Sequence, residues 1–336
     1  MAPRCGVLSL RMKTALVLAC DDRFIPFTAV VARRIARYAA EKFPIMVVSD
    51  GVTDENKALA QKFCPEISFI EAGHFLEGHA LPVDETITRA AHLRLFLDEI
   101  LADFDRAVYL DSDISPLADV SPLMAIEPRS APVAAAYDLH LMVDMSYRDR
   151  LGMKGPYFNS GVLALDLKAI RTGRIFDQAR RYAITHADRC RMHDQDALNA
   201  VLDGNWQVLG WRWNAMNYLS NLMPRKAFIR HFSGYKPWTP KKVGVERRFV
   251  EEWRSDLAES PWPGRFREEA VDHRIKRIFD PLTSGLDRFY KSRAYADAPG
   301  KRGNRARLIN GLPAILSAIE EQAAAGAAAR LPAFIH

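Results

Sequence analysis

The sequence predicts an α/β protein built on a mixed, largely parallel sheet flanked by helices. Short apolar runs alternate with helix-spaced segments from residue 14 to residue 71, the signature of parallel βαβ units. The runs also end abruptly in acids and turn residues. The sharpest case is Ala107-Val-Tyr-Leu110, an apolar run that stops at Asp111-Ser112-Asp113.

Thr14 to Cys20 is apolar and β-branched and reads as a buried first strand ending in Asp21-Asp22. From Phe27 to Ala40, Val30, Val31, Ile35 and Tyr38 fall on one side of a helix and Arg33, Arg34 and Arg37 on the other. Pro44 to Ser49 is a second strand, closed by the turn signal Asp50-Gly51. Thr53 caps a helix to Phe63, and Glu66 to Glu71 is a third strand. Thr86 to Leu101 is expected to be one long helix carrying Arg89, His92 and Arg94. After the Asp111/Asp113 strand come strands at Val133–Tyr137 and at Val162–Leu167, helices at Thr172–Ala187 and from His193, and an aromatic strand at Trp206–Trp213. From Thr239 the chain mixes basic residues with aromatics. Lys301 to Arg307 reads as a linker, and the alanine-rich Leu312–Arg330 as a final helix. The expected division is a compact domain over 1–240 and a basic, mainly helical extension over 241–336.

At 336 residues, 49% hydrophobic and 26% charged, the chain is globular rather than disordered. Cys5, Cys20, Cys64 and Cys190 lie far apart with no zinc spacing, which fits a reducing cytoplasm better than a disulfide framework. Arg4, Arg11 and Lys13 frame too short an apolar core for a signal peptide, and no run is long enough to span a bilayer. Ten Lys and Arg face four Asp between Val271 and Asn310, an excess equal to the chain's net +6. An anionic partner for that stretch is therefore expected, and a membrane surface suits it better than nucleic acid.

In extended chain, residues two apart point to one side, so Asp111 and Asp113 can converge beyond a strand's carboxyl end, where α/β sheets place ligands. Two carboxylates so close call for a cation between them. Read structurally, the same pair would end a strand and cap the next turn. Further polar groups stand at strand ends: Asp21, Asp22, Asp138, Asn159, His231 and Lys236. Together they suit a sugar nucleotide, whose diphosphate needs a divalent ion and a point charge such as Lys236. Two carboxylates and an imidazole on one ion favour Mn2+, with Mg2+ as a substitute.

In consistent order over residues 14–240, the chain resembles glycosyltransferase family 8, the retaining galactosyl- and glucosyltransferases that include bacterial lipopolysaccharide enzymes and glycogenin. The carriers are Ala19-Cys-Asp-Asp22, Leu93-Arg94-Leu95 and Tyr109-Leu-Asp-Ser-Asp113. Downstream come Tyr157-Phe-Asn-Ser-Gly-Val162, Asp194-Gln-Asp-Ala-Leu-Asn199 and His231-Phe-Ser-Gly-Tyr-Lys-Pro-Trp238. The resemblance implies a GT-A fold (Rossmann-like) and a metal-dependent hexosyltransferase acting on a UDP-sugar donor and a glycan or glycolipid acceptor, as in lipopolysaccharide biosynthesis. It implies Asp111, Asp113 and His231 as metal ligands. Asp21, Asp22, Arg94, Asp111, Ser112, Asn159, Ser160, Gly234 and Lys236 become donor contacts, and Asp194, Gln195 and Asp138 the residues at the reacting sugar. Arg23 and Phe24 depart from the Asn and Tyr frequent in bacterial members. The expected location is the cytoplasm, peripheral on the inner face of the membrane. Two other readings stand beside this one: a non-catalytic sugar-nucleotide or glycan-binding protein of the same fold, and a haloacid dehalogenase-type phosphatase using the Asp-x-Asp pair.

Overall fold

Strand β1 (Thr14–Asp21) shows how the sheet is covered. Ala15 and Val17 enter one apolar cluster, whereas Leu16, Leu18 and Cys20 enter another, following the two-residue alternation of extended chain. Both faces are thus buried, which is why these strands are apolar throughout. The structure, a computed structural model, describes residues 13–83, 88–128, 131–216, 226–233, 236–238, 247–263, 300–332 and 335.

After β1 come α1 (Ile25–Tyr38), β2 (Ile45–Asp50), α2 (Asp54–Phe63), β3 (Ile67–Glu71), α3 (Leu97–Ile100), β4 (Arg106–Leu110), β5 (Ile114–Pro116), α4 (Ser121–Met124), β6 (Val133–Tyr137), α5 (Leu139–Met142) and α6 (Met145–Leu151). Then follow β7 (Phe158–Asp166), α7 (Leu167–Gly173), α8 (Ile175–Thr185), α9 (His193–Leu202), β8 (Gln207–Val208), β9 (Ala215–Met216), β10 (Ile229–His231), α10 (Arg247–Ala258) and α11 (Gly300–Ala324). Seven strands form a sheet in the order β3-β2-β1-β4-β7-β6-β8. Its pairs are parallel except β4/β7 and β6/β7. A small sheet, β5-β10-β9, stands beside it. Asp111-Ser112-Asp113 is the corner between β4 of the large sheet and β5 of the small one.

Local chemistry sets the element ends. Pro26 opens α1. Thr53 Oγ1 accepts from Asn56 N at the start of α2, and Asp166 caps α7 through Ala169 N. Four sequence expectations change. Residues 89–96 form a 3-10 helix before the single turn of α3, while Thr86 and Ile87 lie outside the described residues. Ala90 and every side chain from His92 to Leu97 are buried, so packing on several sides overrides the α-helical period. The expected helix at 172–187 is two, because Arg174 takes a left-handed conformation (φ 51°) between α7 and α8. Of Trp206–Trp213 only Gln207–Val208 pairs as a strand, and Trp211–Asn214 turns into a 3-10 helix.

The fourth change concerns the far end of the chain. Lys301–Arg307 is no linker but the first part of α11. Leu308, Leu312, Leu316 and Ile319 of α11 belong to the main apolar cluster. Beyond α11, Tyr137 Oη accepts from Arg330 N at 3.0 Å and lies 2.9 Å from Arg330 O. Tyr137→Phe should therefore cost about 1–2 kcal/mol in denaturant unfolding; an unchanged midpoint would mean that this segment contributes nothing. Helix α10 packs on α1, where Trp253 joins Phe27 and Val30 and Asp256 pairs with buried Arg34 and with Arg37. Of the basic stretch 271–310, residues 271–299 lie outside the described residues.

Candidate functional site

The site forms where the two sheets meet. Asp111 leaves β4 with its backbone N–H on Gly161 O at 2.9 Å. His231 ends β10, which pairs antiparallel with β5 so that His231 stands opposite Ile114. That register brings the imidazole back to the acids 120 residues earlier in the chain. His231 Nε2 lies 3.3 Å from Asp113 Oδ1 and 4.0 Å from Asp111 Oδ2. One ligand atom from each of the three residues falls within 4.8 Å of the other two. Gly161 makes room for this approach: a Cβ there would lie 2.8 Å from Asp111 Oδ2 and 2.9 Å from His231 Nδ1 and would strike His231 Cε1.

The charges around the pair differ. Burial alone would raise the Asp113 carboxyl, but the Lys236 ammonium and His231 outweigh it and hold it well below the usual carboxylate range. Burial, together with repulsion from Asp113, outweighs Arg94 and pushes the Asp111 carboxyl up. Two acids driven apart in this way are what a shared cation reconciles. Two carboxylate oxygens and an imidazole nitrogen are a donor set that fits a divalent ion of Mn2+ type.

Arg94 joins this group to Ser160 and Asp194. Arg94 is 6% exposed, and its guanidinium reaches Ser160 O at 2.9 Å and Ser160 Oγ at 2.7 Å. The same group lies 3.1 Å from Asp111 Oδ1 and, through Nε, 2.7 Å from Asp194 Oδ2. The Nε–H itself is directed to Ala91 O, so Asp194 Oδ2 receives no hydrogen bond among the described residues. Gln195 follows Asp194 at the start of α9, after His193 in a left-handed conformation (φ 49°). Gln195 Oε1 accepts from Ser160 N at 3.0 Å and its amide donates to Tyr157 Oη at 3.1 Å.

Asp111, Asp113, His231, Arg94, Asp194, Gln195, Asn159, Ser160, Ser112 and Lys236 all line one cavity of about 200 Å³. Phe24 and Trp238 also line it, their rings meeting edge-on with centroids 6.0 Å apart. Other expected residues stand elsewhere. Asp21 turns onto Arg23 N and Phe24 N, and Asp22 Oδ1 accepts from Thr53 N and from the Asn56 amide, so both carboxylates brace the loop below Phe24 rather than line the cavity. Asp138 caps α5 and receives the Asn159 amide at 3.4 Å. Lys236 is paired with Asp113. Gly234 lies outside the described residues. Sequence reasoning missed Asn214, which no motif or period marks, and the steric part played by Gly161, where a Cβ would meet Asp111 and His231.

The comparisons with known proteins agree with this geometry. A family model described as Glycosyl transferase family 8 matches residues 15–242. The chain belongs to glycosyltransferase family 8. It is 31% identical over 221 residues to General stress protein A of Bacillus subtilis (strain 168), across 58% of this chain and 76% of that protein. With Lipopolysaccharide 1,2-glucosyltransferase of Escherichia coli (strain K12) it shares 28% identity over 200 residues, 54% of this chain and 58% of that one. Among solved structures, the galactosyltransferase LgtC in complex with donor and acceptor sugar analogs matches with a TM-score of 0.66 at 24% identity, covering 75% of this chain and 99% of that chain. That likeness shows the fold, the GT-A arrangement expected from the sequence. As a family 8 member the protein is a glycosyltransferase, and the phosphatase reading of Asp111-x-Asp113 falls.

Proposed function

We propose that this family 8 member is a Mn2+-dependent retaining hexosyltransferase that moves galactose or glucose from a UDP-sugar to a glycan or glycolipid acceptor. The observation that carries the reading is the convergence of Asp111, Asp113 and His231 in a cavity that also holds Lys236, Arg94 and Asp194. Asp111, Asp113 and His231 would hold the ion, which would supply positive charge against the donor diphosphate and the departing UDP. Lys236, poised on Asp113, turns to the diphosphate as a point charge. The aromatic end at Phe24 and Trp238 takes the base. Asp194 Oδ2, buried and without a hydrogen-bond donor among the described residues, accepts from a sugar hydroxyl.

Retention needs either a covalent sugar–enzyme adduct or attack from the leaving-group face. Gln195 is a neutral amide whose oxygen is engaged by Ser160. Asp194 lies against the Arg94 cation, which draws charge away from its carboxylate and weakens it as a nucleophile. Both features favour front-face attack, with a diphosphate oxygen taking the acceptor proton. A trapped glycosyl–Asp194 adduct would contradict this choice. The reading as a whole is tested by a panel of nucleotide sugars with Mn2+: release of UDP from a UDP-hexose is expected, and turnover of none of them would leave only a binding protein.

We further propose that 1–240 is the catalytic domain and 241–336 a brace that also meets anionic membrane from the cytoplasmic side. Among the described residues no helix is long and apolar enough to cross a membrane. Each basic group near an anionic surface contributes about 1 kcal/mol. Neutralising Lys276 and Arg277 should therefore weaken sedimentation with anionic vesicles by about 2 kcal/mol, near thirtyfold; unchanged sedimentation would remove the membrane role.

A further inference from the structure

We propose that Asn214 is a positioning residue that commits His231 to the tautomer whose Nε2 faces the two aspartates. Asn214 is fully buried, at the end of the 3-10 helix before β9, and β9 runs beside β10 with Met216 opposite His231. Its side chain sits in a line of hydrogen bonds with only one consistent direction. The line starts from a donor that cannot be reversed: the Gly161 backbone N–H lies 3.0 Å from Asn159 Oδ1, so that atom is the amide oxygen. The Asn159 amide nitrogen then faces Asp138 Oδ2 at 3.4 Å, as a donor should. Asn214 Nδ2 donates to the same Asn159 oxygen at 2.9 Å. Its own oxygen is left for His231 Nδ1, at 2.9 Å. An amide oxygen only accepts, so Nδ1 carries the hydrogen, and in the neutral ring the lone pair belongs to Nε2.

Nε2 is the nitrogen turned toward Asp113 and Asp111. A lone pair aimed at two carboxylates is an arrangement for a shared cation, and an outer partner on the far ring nitrogen is how ligating histidines are commonly oriented. Gly161 thus serves the site twice, through its missing Cβ and through its N–H. The consequence for metal affinity rests on the metal reading above; the tautomer does not.

The test uses the full chain, metal-free and mildly alkaline, with 15N-labelled histidine, the His231 signals being assigned by their loss in His231→Gln. The expected wild-type signal is a protonated Nδ1, whether or not the metal-free ring also takes a proton on Nε2; a bare Nδ1 overturns the proposal and needs no further variant to fold. Asn214→Leu should move hydrogen onto Nε2 and weaken Mn2+ binding, read from free Mn2+ by electron paramagnetic resonance, by about 10–100-fold. Asn214→Asp keeps an acceptor for Nδ1–H but loses the donor to Asn159 Oδ1, so it should hold the hydrogen on Nδ1 while costing stability. A folded Asn214→Leu with unchanged nitrogen signals and unchanged Mn2+ affinity contradicts the assignment. If the wild type bound no Mn2+, the metal reading would fail, while the nitrogen signals would still decide the role of Asn214.

Discussion

Asp113→Asn is expected to lower Mn2+-dependent release of UDP from a UDP-hexose by about a thousandfold, roughly 4 kcal/mol of transition-state stabilisation. The substitution keeps the shape of the side chain and removes its charge. The oxygen that faces His231 Nε2 at 3.3 Å becomes a weak neutral ligand or an NH2 group, and the shared centre of charge is lost. The fold should survive. Lys236, which loses its ion pair with Asp113, is 31% exposed and can turn to water, while Asp111 is relieved of a like charge. Comparable melting temperatures with lost turnover are therefore the expected pair of results. Chelator-sensitive turnover at the wild-type rate would show that Asp113 holds no essential ion.

Gly161→Ala should do nearly as much damage by a steric route. The added methyl would strike the His231 ring and crowd Asp111 Oδ2, and neither neighbour is loose. His231 is 3% exposed and bound to Asn214; Asp111 is held by the Tyr109 hydroxyl at 2.8 Å and by Arg94. Relief has to come from moving the imidazole, so Mn2+ affinity and turnover should both fall by at least about tenfold, with about 1–3 kcal/mol lost from overpacking. Gly311→Ala in α11 is the control. A Cβ there meets Ile315 Cδ1 at an ordinary 3.4 Å, and alanine in place of a helical glycine should add up to about 1 kcal/mol of stability. Equal Mn2+ affinity in Gly161→Ala and wild type would mean that the ion does not sit between Asp111 and His231.

Much of this site was legible because its parts carry local signals. An apolar run with two acids beyond it marks a strand end, and that placed Asp111 and Asp113 before any coordinates. His231 has no such signal alone; only the ordered string from His231 to Trp238 brought it in, and the β5/β10 register supplies the physical link. Asn214 stayed invisible because its role lies in one side chain reaching another across two strands, and neither period nor spacing encodes that. The errors in the fold share a cause. Residues 89–96 and 301–307 were read from local propensity, whereas the first are shaped by burial on several sides and the second by docking of α11 on the main core. Asp21 and Asp22 stood out because acids after a strand are conspicuous, and their carboxylates accept from Arg23 and Phe24 N–H and from Thr53 and Asn56.

The central claim, that Asp111, Asp113 and His231 hold a divalent ion that in turn holds the donor diphosphate, is met most directly by calorimetric titration of the wild-type protein with UDP, in Mn2+ and in chelator. UDP should bind strongly with Mn2+ and at least about tenfold more weakly without it, a coupling of 1.4 kcal/mol or more. Equal affinity in the two titrations would contradict the account.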